Sequence, residues 1–337
     1  MKTKQISIIF CLLFSIYTAN AQYTETINSN RPGFSQGAFS VGKKVLQFEA
    51  GFGYGTEEHS LKNTETNAFI IDYNVRYGIW KEELEISLIG GFRSNSVADN
   101  SAATPYEYKE SNFTSNTIGA KYLFYDPYRK KELEKPNLYS WKANNSFQWR
   151  DLIPAISIYA GANFDFADNP FTPGNDSSIS PTVAISTQNN LGTWVFVTNI
   201  IAERITEDMP SYSYILTLTH TFNAKMSAFV ENQGISSDFY ADQIFRGGAA
   251  YLFNQDFQID ASILFNFKDT PSRFMGRIGI SYRFDMHDKD EFIEDKGKEG
   301  REKKKEKKGK KENTKKEKKK SNKRKDSIEF EEDDGGI

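Results

Sequence analysis

Val45-Leu46-Gln47-Phe48-Glu49-Ala50-Gly51-Phe52-Gly53-Tyr54-Gly55 is the stretch that decides the fold. Leu46, Phe48, Ala50, Phe52 and Tyr54 share one side of an extended chain, and Gln47, Glu49, Gly51 and Gly53 share the other. Strand side chains alternate between two faces in this way. The pattern returns downstream. In Asn67–Ile79, Phe69, Ile71, Tyr73, Val75 and Tyr77 oppose Asp72, Asn74 and Arg76. In Glu83–Arg93, Leu84, Ile86, Leu88 and Phe92 oppose Glu83, Glu85, Ser87 and Arg93. Near the end, Phe257, Ile259, Ala261, Ile263, Phe265 and Phe267 oppose Gln258, Asp260, Ser262 and Asn266. A last strand sets Phe274, Ile278, Ile280, Tyr282 and Phe284 against Arg277, Ser281 and Arg283. Less regular candidates fill 112–125, 154–166, 179–190, 193–203, 211–222, 225–234 and 242–253, which brings the total to about twelve, an even number as single-chain bacterial barrels have.

These strands predict an all-β, transmembrane, antiparallel up-and-down β-barrel over 45–284. Lipid offers no partner for an unpaired backbone group, so a sheet that crosses it must close on itself. The composition agrees. Of 337 residues only 38 % are hydrophobic, yet 14 % are aromatic, which is awkward for a soluble core and natural for a barrel with aromatic girdles. Loop lengths supply an independent check. With both ends of the barrel in the periplasm, the long outer connections are Thr56–Thr66, Ser94–Ser111, Ala167–Ser178, Arg204–Pro210, Ile235–Ala241 and Lys268–Arg273. The inner ones are short, including Gly78–Glu82, Leu191–Gly192, Asn223–Ala224 and Asn254. Asp126–Ile153 breaks the rule by being long and inner.

The flanks differ from this centre. Residues 1–21 have the parts of a secretory signal: Lys2 and Lys4, the apolar run Ile6 to Tyr17, and the small-x-small site Ala19-Asn20-Ala21. Cleavage near Ala21 removes the chain's single cysteine, Cys11, so the mature protein has no disulfide and no thiol-ligated metal. Residues 22–44 form a polar, turn-rich lead-in. Residues 285–337 are dense in Lys and Glu and end in the acidic run Glu329–Asp334, which predicts a disordered tail. The net charge of -2 averages these unlike regions.

Two motifs stand out. Arg277-Ile278-Gly279-Ile280-Ser281-Tyr282-Arg283-Phe284 resembles the sorting signal that the barrel assembly machinery reads on a last strand, with Gly279, Tyr282 and Phe284 as its key positions. It departs from the pattern because a tail follows it. Asn28-Ser29-Asn30-Arg31-Pro32-Gly33-Phe34-Ser35, with Val41-Gly42-Lys43-Lys44 leading into the first strand, resembles the outer-membrane proteins labelled as transporters of the phenol meta-pathway degradation group. The resemblance extends over 25–284 and implies a barrel that moves small molecules, aromatic or apolar ones among them. Arg31 either packs into the barrel mouth against an inward carboxylate such as Glu49 or belongs to a plain Pro-Gly turn; both readings stay open.

A charge facing lipid at the midplane costs about 2–4 kcal/mol for Arg or Lys. Glu49, Asp72, Arg76, Glu85, Arg93, Lys121, Glu231, Arg246, Asp260 and Arg277 are therefore expected to line the lumen. They either plug it as paired charges or surround water and select solutes. Enzymatic chemistry has little to stand on. His59 falls in an outer loop and His287 in the tail, and His220, a lone strand histidine, reads as structural or lumen-lining. Phosphate loops, nucleophile elbows and metal clusters do not occur in the sequence, so no cofactor is expected. Nucleic acid is not an expected partner either, because acidic residues largely neutralise the basic tail. Two functions remain: a transporter or channel in the outer membrane of a Gram-negative bacterium, or a non-transporting structural or adhesion barrel whose tail contacts peptidoglycan.

Overall fold

The computed structural model describes residues 26–129, 139, 152–166, 169–174 and 176–287. The proposed signal peptide, most of the 126–153 connection and the tail beyond His287 lie outside the described residues. The chain divides into two units after Met286.

Twelve antiparallel strands close into one barrel in simple up-and-down order. They are β1 (Val45–His59), β2 (Thr64–Gly78), β3 (Leu84–Asp99), β4 (Tyr106–Tyr125), β5 (Ala155–Phe164) and β6 (Ile179–Leu191), then β7 (Trp194–Glu203), β8 (Ser211–Asn223), β9 (Met226–Ser236), β10 (Asp242–Asn254), β11 (Phe257–Asn266) and β12 (Ser272–Asp285). Closure is made by β1 against β12, in unbroken register from Val45↔Asp285 to Glu58↔Ser272. The near end carries the start of β1 and the end of β12, with the tight links 192–193, 224–225 and 255–256. The far end carries the links 60–63, 100–105, 165–178, 204–210, 237–241 and 267–271.

Two expected outer loops are shorter than the sequence suggests. Most of Thr56–Thr66 and Ser94–Ser111 is strand, so β1 to β4 run well past their neighbours. Apolar alternation fades there because no lipid meets the outer face. The ladder itself continues: Glu57 pairs with Thr66, and Asp99 with Tyr106. A register shift between Gly91 and Phe92 lets β4 carry one extra residue in this extension.

The barrel is apolar outside and polar inside. Ile200, Val230 and Ile278 are each just over 60 % exposed on the outer wall. The bulkiest fully buried side chains are Arg76, Lys121, Gln47 and Glu85. Such a surface is stable only against acyl chains. Among the described residues no helix is long and apolar enough to cross a membrane. Aromatic rings mark the near rim: Phe48 meets Phe284 at 5.7 Å, Tyr282 meets Phe284 at 4.6 Å, and Trp194 meets His220 at 4.2 Å. The same arrangement puts His220 on the outer wall, with Phe222 4.9 Å away, and not in the lumen. Thr219 and Thr221 take the inward positions of β8, which sends the histidine between them to the rim.

This polarity predicts the response to a misplaced charge. Ile278→Arg, at mid-height on the outer wall, should lower folding stability in phospholipid vesicles by about 2–4 kcal/mol. Leu61→Arg, in an 84 % exposed far-end link, should leave it unchanged. Urea titrations in vesicles check this, and equal tolerance of both substitutions would contradict the lipid-facing assignment.

Candidate functional site

The lead-in does not stay outside. It enters at the near end, where the Ile27 N–H donates to the Gln255 carbonyl at 2.7 Å. It rises into the lumen as far as Phe34, turns, and comes back to the rim, where Lys43 bridges to Gly78. The Gly37 N–H donates to Asn30 Oδ1 at 3.0 Å and closes the neck of this loop.

Inside a barrel the strands have already used their own main-chain groups, so an inserted segment must find side-chain partners. The wall supplies them all round. Glu49 of β1 accepts from the Asn30 N–H at 3.2 Å. Glu231 of β9 accepts from the Phe34 and Ser35 N–H groups at 2.9 and 3.2 Å. Asn199 of β7 takes the Gln36 N–H at 2.7 Å and donates to the Gln36 carbonyl at 2.8 Å. Gln188 of β6 accepts from Ala38 at 3.1 Å, and Glu85 of β3 from Val41 at 2.9 Å. Lys121 of β4 donates to the Gly37 and Phe39 carbonyls at 2.9 and 3.0 Å. A small apolar foot adds to this grip, where Ala38 packs with Leu123 and Ala155.

Arg31 is the charge that the plug carries into the lumen, Lys43 and Lys44 staying at the rim where the first strand begins. Its guanidinium makes a paired contact with the Asp260 carboxylate, both bonds at 3.0 Å. The expected partner, Glu49, is instead occupied: Arg76 reaches it at 2.8 Å and Gln47 at 2.6 Å. Arg31 lies flat over Gly51 of β1 and Gly279 of β12, and a Cβ on either glycine would collide with its guanidinium. Gly279 thus has a place in the lumen wall, while Tyr282 and Phe284 face outward in the near rim.

All ten charged residues singled out above sit on inward positions of their strands. Glu49, Arg76, Glu85 and Lys121 form one chain across β1 to β4, linked at 2.8, 3.8 and 2.8 Å. Arg246 joins Glu231 at 2.8 Å, Arg277 pairs with Asp72, and Asp260 takes Arg31. Arg93 stands apart, near the far end, where it shares Glu57 with Arg273 at 2.6 and 3.1 Å. Burying such pairs yields little net stability, but removing one member leaves a bare charge and costs about 3–5 kcal/mol. Near the tip of the plug, two guanidinium groups approach the Phe34 ring, Arg246 at 4.2 Å and Arg277 at 4.4 Å from its centroid.

Beyond the plug, toward the far end, lies a cavity of about 990 Å³. Its lining mixes Glu57, Arg93 and Arg273 with aromatic rings carried in by the far-end links. Arg93 faces the Phe171 ring at 5.7 Å, Arg273 the Tyr240 ring at 4.9 Å, and Arg204 the Phe239 ring at 6.0 Å. Burial pushes the Tyr240 phenol well above its ordinary pKa, the Asp242 carboxylate adding to that against the pull of Arg273. The phenol therefore stays protonated and donates to Asp242. This lining suits a small solute with both polar and apolar parts. Among the described residues no His, Cys, Asp or Glu group is arranged to hold a metal.

Sequence reasoning missed Gln188, Asn199, Glu57 and Arg273, which complete the two ends of the lumen. Gln188 and Asn199 are uncharged and gave no sign of a partner, while Glu57 and Arg273 fell in the expected outer loops Thr56–Thr66 and Lys268–Arg273 and turn out to be strand residues. Asp260 was marked as inward without its partner Arg31.

Solved structures with a similar chain path include an outer membrane channel from Pseudomonas putida, 9 % identical, covering 77 % of this chain and 100 % of that one at a TM-score of 0.49. The NanC porin is 10 % identical, with 70 % and 98 % covered at 0.44. A mutant of the TodX monoaromatic hydrocarbon channel is 10 % identical, with 71 % and 90 % covered at 0.42. Among curated proteins none matches this chain. A family model matches residues 29–284, from the plug through the last strand, and the chain belongs to that family, described as Putative MetA-pathway of phenol degradation.

Proposed function

We propose that this protein is an outer-membrane transporter or channel for small molecules, with residues 26–44 as its gate. The supporting observation is the way the lumen is filled. The near half is occupied by a segment of main chain held chiefly by hydrogen bonds and one ion pair, while the far half is a cavity of about 990 Å³. A wall packed by its own side chains has no part that could leave. Here one connected segment closes the path, and the carboxylates and amides that hold it could equally bind water once it moves. The solute is small, with aromatic or apolar character. The barrel would sit in the outer membrane of a Gram-negative bacterium after signal cleavage near Ala21, with its near end in the periplasm. Gly279, Tyr282 and Phe284 would serve as the mark read by the assembly machinery.

One observation favours a second reading, a non-transporting structural barrel. Gln47, Lys121, Ser157 and Ser281 on the near half of the wall are 0 % exposed, so that half is packed tight around the plug. On this reading the tail, and not the lumen, would carry function by contact with peptidoglycan.

Arg31 separates the two. In planar bilayers, Arg31→Ala should raise the open probability at least about tenfold over the wild-type chain, because the Asp260 contact is the ion pair that ties the plug to the wall among the described residues and tenfold corresponds to about 1.4 kcal/mol. Electrical silence of both proteins, with no solute uptake into liposomes, would reject transport. Deleting 287–337 should leave conductance and uptake unchanged. Loss of cell-wall cofractionation in that deletion, together with silence of the full chain, would establish the structural reading instead.

A further inference from the structure

We infer that the space filled by Phe34 is a binding subsite for a small, uncharged aromatic ring bearing an O–H or N–H donor, and that Phe34 is a resident occupant which such a solute displaces. This rests on reading 26–44 as a gate.

The walls of the subsite stand without Phe34. Arg246 is held from behind by Glu231 at 2.8 Å and by Gln233 at 2.6 Å, and Arg277 is held by Asp72. Both guanidinium groups are thus fixed by strand residues, with the ring at 4.2 and 4.4 Å. Two guanidinium groups this close to a ring centroid favour its π-face, and a saturated ring of the same size offers none.

The lumen wall next to the subsite is apolar, which is unusual in this barrel. Ala68, Ile244, Leu264 and Met275 form a buried inward cluster. Ile244 and Met275 are the inward residues immediately before Arg246 and Arg277 on β10 and β12, on the cavity side. Ile235 packs against this cluster and also lines the cavity, so the wall between the cavity and the guanidinium pair is apolar. That wall suits a ring and offers nothing to a sugar or a simple ion.

Glu231 sets the substituent. Its carboxylate accepts from the Phe34 and Ser35 N–H groups and from the Thr217 hydroxyl at 2.8 Å. When the tip of the plug leaves, two of those donors leave with it, and an O–H or N–H on the incoming ring would replace one. Two guanidinium groups and two carboxylates balance in charge, so a neutral ring suits the site better than an anion.

The test uses the full chain in detergent and three probes of matched size: phenol (ring and donor), benzene (ring alone) and cyclohexanol (donor alone). Affinity is read by calorimetry or saturation-transfer NMR, and folding by heat-modifiable electrophoretic mobility. Phe34→Ala removes the resident and should raise phenol affinity by roughly tenfold, leave cyclohexanol unchanged and give benzene a smaller gain. Arg277→Gln in that background should reverse the gain. Should Phe34→Ala fail to fold, Phe34→Leu keeps the apolar bulk without a π-face and should still raise phenol affinity about threefold. Unchanged phenol affinity in a folded variant, or an equal gain for cyclohexanol, overturns the subsite. Uptake by liposomes keeps the two ideas apart. Flux without a change in phenol binding sinks the subsite and leaves transport standing. A tenfold gain in binding with no flux, even in Arg31→Ala, retains the subsite and sinks transport.

Discussion

Side chains of the barrel wall hold the main chain of an inserted segment, and the rest of the structure depends on that grip. A barrel in lipid has no spare backbone groups, since each strand gives all of its own to its neighbours. An inserted loop brings its own N–H and C=O groups into the lumen, where they need partners. Glu49, Glu85, Gln188, Asn199 and Glu231 accept from it, and Lys121 donates to it. Glu49, Glu85 and Lys121 are also joined to one another through Arg76, and Glu231 to Arg246, so the grip on the plug is continuous with the ion pairs of the wall. A carboxylate bound to a lysine or arginine can accept a further N–H, because each oxygen has more than one lone-pair direction.

The network explains why the inner face of β1 is so unlike its outer face. Outside, Phe48, Phe52 and Tyr54 meet lipid. Inside, Gly51 stands between Glu49 and Gly53, and the space it leaves receives Arg31. On β12, Gly279 provides the other half of the same socket, directly across the seam in the Gly51↔Gly279 pair. The seam that closes the barrel is therefore also the seat of Arg31, whose partner Asp260 stands on the adjoining strand β11. Assembly of the barrel and closure of the lumen share one strand pair.

Much of this was legible in the residues. Period-two alternation gave the strands because lipid and lumen impose opposite demands on adjacent side chains. Phe48 and Glu49, or Tyr73 and Asp72, state those demands without any knowledge of the partner strand. The extensions of β1 to β4 were not legible: Ser94 to Asp99 and Tyr106 to Ser111 lie where that contrast ends, and backbone pairing with a few polar side-chain links, such as Asn95 to Glu110, holds them in register. The plug was half legible. Arg31 and its Pro-Gly turn were conspicuous, but its partner is fixed by competition. Glu49 is closer in sequence and already satisfied, so the arginine goes to Asp260, 229 positions away. Periodicity carries no information about such long-range choices. Phe34 stood in the same motif, but its contact with Arg246 and Arg277 was not legible, because an aromatic residue in a polar lead-in has no periodic pattern to stand against.

Amide hydrogen exchange across residues 27–42 of the folded protein in detergent tests the central claim most directly. If wall side chains hold this segment inside the lumen, the Phe34, Gln36, Ala38 and Val41 amides exchange as slowly as those of the strands around them. Exchange as fast as in the far-end link 204–210 would place the segment outside the barrel and contradict the account.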